Sequence, residues 1–310
     1  NSVGGFWMNL LDKSKPLRLA GIILLMAVTV MTGGCARQTS LKEARAGFTT
    51  NLLEHWKNGT PAPQPADNQL TLIEYPSNVG ELSAYLTPDP GDGIKHPAIV
   101  WICGGYDNSI GSSAWDPAPE EDDQSARAFR ENGIVTMYAS LRGCNDNPGD
   151  YECFYGEADD VISAADYVSK LAYVDPDRVY LGGHSTGGTM VLLAAELSDG
   201  DNIRAVFSIG PVSDILSYGL EYPFSTSDKN EARLRSPGYW VPSIKTRTYI
   251  MEGADSANAV NLPKFANRND LVTTHTIPGY DHFTEVKPLT ESIAKQILAD
   301  TGKHPKIVFQ

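Results

Sequence analysis

Val179-Tyr180-Leu181-Gly182-Gly183-His184-Ser185-Thr186-Gly187-Gly188 is an apolar, β-branched run that stops at glycines with a serine among them. Its centre, Gly183-His184-Ser185-Thr186-Gly187, has the G-x-S-x-G spacing of a nucleophile elbow, in which a strand turns so sharply into a helix that the serine hydroxyl is left standing at the turn. Small residues are needed at 183 and 187, where a side chain would strike the neighbouring strand or helix. The surroundings agree. Residues 178–181 read as a buried strand after the turn Val174-Asp175-Pro176-Asp177, and residues 190–197 as a buried helix. The plain alternative is a glycine-rich turn with a structural serine; the order of the parts that follow argues against it.

Upstream, residues 71–75 and 81–86 read as an antiparallel hairpin around Pro76-Ser77-Asn78-Val79-Gly80. Strands and helices then alternate: a strand at 98–102 ending in Cys103-Gly104-Gly105-Tyr106, a helix at 124–132 stopped by Gly133, a strand at 134–139, and an amphipathic helix at 157–171. After the elbow come strands at 205–209, 246–251 and 271–277 and a closing helix at 291–300. Such alternation implies an α/β fold with a mostly parallel sheet covered on both faces. Residues 214–244, rich in Tyr, Ser, Pro and Arg, fit neither period and are expected as a short lid or pocket wall, or else as a long surface excursion.

With 310 residues, 41% hydrophobic and 20% charged, the chain can bury a full core. The net charge of −13 leaves no basic stripe for phosphates, so no nucleic-acid partner is expected. The acidic run Glu120-Glu121-Asp122-Asp123 has no histidine beside it and reads as a solvated segment.

Three segments divide the chain. Residues 1–35 read as a targeting segment, with Lys13, Lys15 and Arg18 before an apolar run at 19–31 and small residues before Cys35. The apolar run is shorter than the ~20 residues a spanning helix needs. Residues 36–68 are polar and then proline-rich, a tether with one short helical pattern (Phe48, Leu52, Leu53, Trp56), and residues 69–310 form the catalytic domain.

A serine hydroxyl needs a base within hydrogen-bond reach and an acid to orient that base. The candidate base is His282, in the loop Pro278-Gly279-Tyr280-Asp281-His282-Phe283 after the last strand, where strand ends return beside the elbow. His275 falls inside a strand, His96 before one, His55 and His304 outside the sheet, and His184 is expected to point away from the site. Asp255 follows the preceding strand and completes the order Ser, Asp, His, with Glu252 and Asp214 as alternatives. Backbone N–H groups of Thr186 and of Gly105 or Tyr106 are the candidate oxyanion donors.

The elbow, the Gly-Gly loop, the order of the three residues and the segments Leu141-Arg142-Gly143 and Tyr173-Val174-Asp175-Pro176-Asp177-Arg178 resemble the α/β-hydrolase fold, and within it the prolyl oligopeptidase-like serine hydrolases. The resemblance covers residues from about 70 onward and implies hydrolysis of a peptide or ester bond through an acyl-enzyme, with a small-molecule or peptide substrate. Cys103 stands where related chains often carry histidine, and the acid loop is one residue short. Residues 36–68 hold no counterpart of the propeller that restricts oligopeptidases to peptides, which keeps esterase activity open. A binding protein on an inactive hydrolase scaffold and an acyltransferase are the competing classes. No metal or organic cofactor is expected, as neither clustered ligands nor a phosphate-cradling loop occurs.

Residues 1–35 resemble a bacterial lipoprotein signal. That resemblance implies lipidation of Cys35, with Ala36 permitting sorting to the outer membrane, although Thr32 stands where leucine is usual. In an oxidising compartment, Cys144 and Cys153, which flank the turn Asn145-Asp146-Asn147-Pro148-Gly149, are expected to form a disulfide. Cys103 is expected to be a buried structural thiol.

Overall fold

A computed structural model describes residues 39–66 and 69–309. The targeting segment and Cys35 lie outside the described residues, and no helix among those described is long and apolar enough to cross a membrane.

In chain order the helices and strands are α1 (Leu41–Arg45), β1 (Thr71–Ser77), β2 (Gly80–Leu86), β3 (His96–Ile102), α2 (Ala128–Glu131), β4 (Val135–Ala139), α3 (Glu157–Val168), β5 (Val174–His184), α4 (Thr186–Leu197), β6 (Ala205–Ile209), α5 (Lys229–Leu234), β7 (Arg247–Gly253), α6 (Leu262–Phe265), β8 (Val272–Ile277) and α7 (Val286–Ala299). The strands form one sheet in the order β1-β2-β4-β3-β5-β6-β7-β8. β1 and β2 are the expected antiparallel hairpin, and every pairing from β4 through β3 to β8 is parallel. Parallel strands buried on both faces must be apolar throughout, and β3 shows it: Ala98, Val100 and Ile102 enter the core under α3 and α4, while Ile99 and Trp101 enter the one under α2 and α7.

Two helices depart from their expected limits. The helix expected at 124–132 is reduced to α2, because the chain passes through a left-handed residue at Ala126 (φ 46°) before it. The closing helix begins five residues earlier than its apolar pattern suggests, at Val286.

The segment read as a tether packs along the domain. Ser40 and Glu43 cap α1 reciprocally, a capping box that satisfies otherwise orphaned N–H groups. Thr50 and the Asn51 N–H bond to Glu231 of α5, Leu52 bridges Phe224, and the N–H groups of Asn58 and Gly59 donate to Gly143 and Asn145. The expected lid contains α5 and short 3-10 turns. Arg235 anchors it: fully buried, it donates to Thr50, to the Glu152 carbonyl and to Glu231.

Candidate active site

β5 ends at His184 and α4 begins at Thr186, so the whole turn is carried by Ser185, at φ 57° and ψ −119°. A non-glycine residue holds such a conformation only where its surroundings over-determine it. Here the Ser185 N–H donates to the Ile209 carbonyl at 2.8 Å. A methyl group at residue 183 would lie 2.5 Å from the Gly187 carbonyl, and one at 187 would strike the Ile102 carbonyl. The glycine spacing of the motif is therefore a packing requirement.

The loop after β3 lies against the elbow, with the Gly104 Cα hydrogen directed at the Ser185 Cβ: a methyl there would be 3.2 Å away. Gly105 takes φ 120° and turns its carbonyl to accept from the Thr186 hydroxyl at 2.6 Å. The Thr186 N–H begins a helix and so has no partner within it. Asn108, buried, ties the two pieces together: its amide donates to the Cys103 carbonyl at 2.7 Å and to the Thr186 hydroxyl at 3.1 Å. Beyond Gly105, Tyr106 is half exposed, stacked on Tyr151 and edge-on to Trp56. Cys103 is partly buried, and burial pushes its thiol up to about 12, which favours the protonated form.

His282 stands on the loop between β8 and α7 and reaches the gap between the ends of β5, β6 and β7. Its ring passes so close to Gly210 that a methyl at that position would meet Cε1 at 2.5 Å and Nδ1 at 2.8 Å. Only glycine fits there beside the ring, and its φ of 67° favours glycine independently. The His282 Nδ1 faces Glu252 Oε1 at 3.4 Å; a carboxylate accepts, so the ring nitrogen is the donor. Glu252 is buried at the penultimate position of β7.

Asp255 does not occupy that place. It is exposed, and its backbone N–H donates to Tyr280, which helps hold the His282 loop. Because β7 continues to Gly253, the residue that the strand's end aims at the histidine is Glu252, and residue 255 falls beyond the turn. Asp214 caps the short helical turn at 215–218 and accepts from Ser236, work unrelated to His282.

His184 also differs from expectation. It is buried with its ring 4.6 Å from that of His282, and its Nε2–H donates to the His282 carbonyl at 2.7 Å, while Nδ1 meets the Gln124 carboxamide. Burial, reinforced by His282, lowers it to about 3. It is thus a neutral strut for the loop carrying His282. A histidine between Gly183 and Ser185 signals nothing of the sort in sequence, since its partner lies 98 residues away.

Cys144 and Cys153 are free thiols, not a disulfide. The Cys144 sulfur turns to the Asp107 carbonyl, whereas Cys153 sits in a left-handed turn (φ 55°) next to Tyr151. Between them the chain folds around Arg142 instead of closing a hairpin.

Residues 121–246 match the model of the prolyl oligopeptidase family. The match includes Ser185 and ends before Glu252 and His282. Among curated proteins, the chain is 30% identical over 146 residues to a probable dipeptidyl-aminopeptidase B of Metarhizium robertsii, covering 41% of this chain and 15% of that protein. It is 29% identical over 157 residues to dipeptidyl aminopeptidase B of Saccharomyces cerevisiae, covering 44% and 18%. The chain therefore spans less than a fifth of the length of either relative. Among solved structures, an acylaminoacyl peptidase of Pyrococcus horikoshii superposes with a TM-score of 0.59 at 16% identity, over 78% of this chain and 43% of that one. An esterase of Pyrobaculum calidifontis gives 0.55 at 16%, over 74% and 85%. These likenesses establish the α/β-hydrolase fold.

Proposed function

We propose that this α/β-hydrolase is a serine hydrolase that cleaves a peptide or ester bond through an acyl-enzyme on Ser185. The observation that carries the reading is the strained Ser185 at the strand-to-helix turn, with a histidine from the loop after the last strand backed by a buried carboxylate. His282 Nε2 takes the Ser185 proton as Oγ attacks the carbonyl carbon. Glu252 holds the ring by its Nδ1–H and stabilises the imidazolium that forms. The oxyanion receives backbone N–H groups at Tyr106 and Thr186. When the tetrahedral intermediate collapses, the imidazolium gives its proton to the departing amine or alcohol. A water activated by the same histidine then attacks the acyl-enzyme and frees Ser185. Each oxyanion donor of this kind contributes on the order of 10²–10³ in rate.

The prolyl oligopeptidase match and the dipeptidyl-aminopeptidase likeness favour a peptide; the fold is shared equally with an esterase, and a triad with an oxyanion hole serves both bonds. Export and attachment to the bacterial envelope through a lipidated Cys35 belong to the same proposal, supported by the basic, apolar and small-residue order of residues 13–35. The test is reaction of the full chain with a fluorophosphonate, followed by peptide mass spectrometry. An adduct on Ser185, absent in Ser185→Ala, is expected. A folded parent that takes no label would contradict the reading and return the binding-protein class to the front.

A further inference from the structure

Glu285, at the start of α7, is completely buried, and its carboxyl lies within 4.8 Å of a ring nitrogen of His184 and one of His282. The Glu252 carboxyl, also buried, faces the same His282 ring through Nδ1 at 3.4 Å, so the two acids converge on one imidazole. No N–H or hydroxyl among the described residues makes a hydrogen bond of good geometry to Glu252 Oε2 or to either oxygen of Glu285. Buried oxygens without donors are costly, and two carboxylates in contact cannot both ionise. One proton between the two side chains removes the repulsion and gives Glu252 Oε2 a donor.

We propose that Glu285 donates its carboxyl O–H to Glu252 Oε2, fixing that carboxylate so that Oε1 is left for the Nδ1–H of His282. Glu285 is thus a positioning residue, two hydrogen bonds removed from the nucleophile's base; the inference rests on the Ser185–His282–Glu252 reading. The groups around it agree. Burial, then Glu252 of β7, then more weakly Asp281 of the histidine loop all favour the protonated form, raising Glu285 to about 10, with the Gly253 N–H opposing. The other titratable neighbours are His184 and His282, and His184 stays neutral. A neutral Glu285 leaves a single negative charge behind the histidine.

The test uses the full chain, the fluorophosphonate labelling rate of Ser185 as a function of pH, and two variants. Glu285→Gln keeps a donor toward Glu252 and is expected to label within about threefold of the parent at neutral pH. It should also lack any decline that the parent shows as the pH approaches 10. Glu285→Leu removes the donor and is expected to label about 10- to 100-fold more slowly, in line with the loss of a hydrogen bond to a charged group, while melting no lower than the parent. Leu labelling as fast as the parent, or Gln as slow as Leu, overturns the proposal. If the Leu variant fails to fold, the Gln variant decides: a tenfold loss, or an alkaline decline identical to that of the parent, sinks it. An unlabelled parent overturns the catalytic centre itself and this inference with it, whereas a labelled parent with an indifferent Leu variant overturns the inference alone.

Discussion

Two buried clusters of carboxyl groups lie in this domain, and they are built on opposite principles. In the first, Arg142 holds Asp160 through Nε at 2.9 Å and Nη2 at 2.8 Å, and Glu152 through Nη1 at 3.0 Å. Asp160 also accepts from the Arg142 backbone N–H, and Asn78 accepts from the guanidinium. In the second, Glu252 and Glu285 face two histidines, and among the described residues no Lys or Arg is paired with them and three of their four oxygens lack donors in good geometry. The first cluster staples the β1–β2 turn, the loop after β4 and α3 together. The second stands beside a serine in a strained turn. Matched charge fixes the scaffold at the first cluster; at the second, unpaired carboxyls lie beside the histidine to which the proposed mechanism gives the proton.

Breaking the matched cluster should have the largest effect. Arg142→Leu leaves Asp160 buried without its partner, a loss of about 3–5 kcal/mol against a typical total of about 5–15. Urea denaturation would read it, and a change below 1 kcal/mol would show that the network contributes little.

A smaller effect sharpens the contrast. Glu196, buried in α4, has neither oxygen hydrogen-bonded among the described residues, and burial holds its carboxyl well above the usual range, with Arg268 opposing. The folded state therefore keeps a proton that the unfolded chain releases near pH 4.5, so stability falls as the pH rises above that value. Glu196→Gln should raise the melting temperature at pH 8 and change it little at pH 4.5. Equal shifts at both pH values would contradict this assignment of charge.

How much of this was legible in the chain follows from the range of the interactions. β6 runs over residues 205–209 as its apolar run suggests, because a strand buried on both faces leaves its mark in consecutive residues. The elbow is equally local: Gly183 and Gly187 are required by backbone atoms a few residues away or on the next strand. Glu252 was visible only as an alternative, since the choice over Asp255 turns on β7 lasting to Gly253, and strand ends are poorly marked in sequence. Glu285 left no signal, because its meaning depends on α7 starting early enough to turn a carboxylate back beneath the histidine loop. The same holds for residues 50–59, whose composition reads as a linker while their partners, such as Arg235, lie some 185 residues away.

The most direct test of the site sets the two rival acids against each other, by following hydrolysis of p-nitrophenyl acetate by the full chain carrying Glu252→Gln or Asp255→Asn. Loss of the carboxylate that orients the base should lower kcat by about 10²–10⁴, by analogy with the triad aspartate of serine proteases. The predicted result is that loss in Glu252→Gln and a change under about twofold in Asp255→Asn, with both proteins melting near the parent. The reverse pattern would remove Glu252 from the centre, and the pairing with Glu285 would go with it.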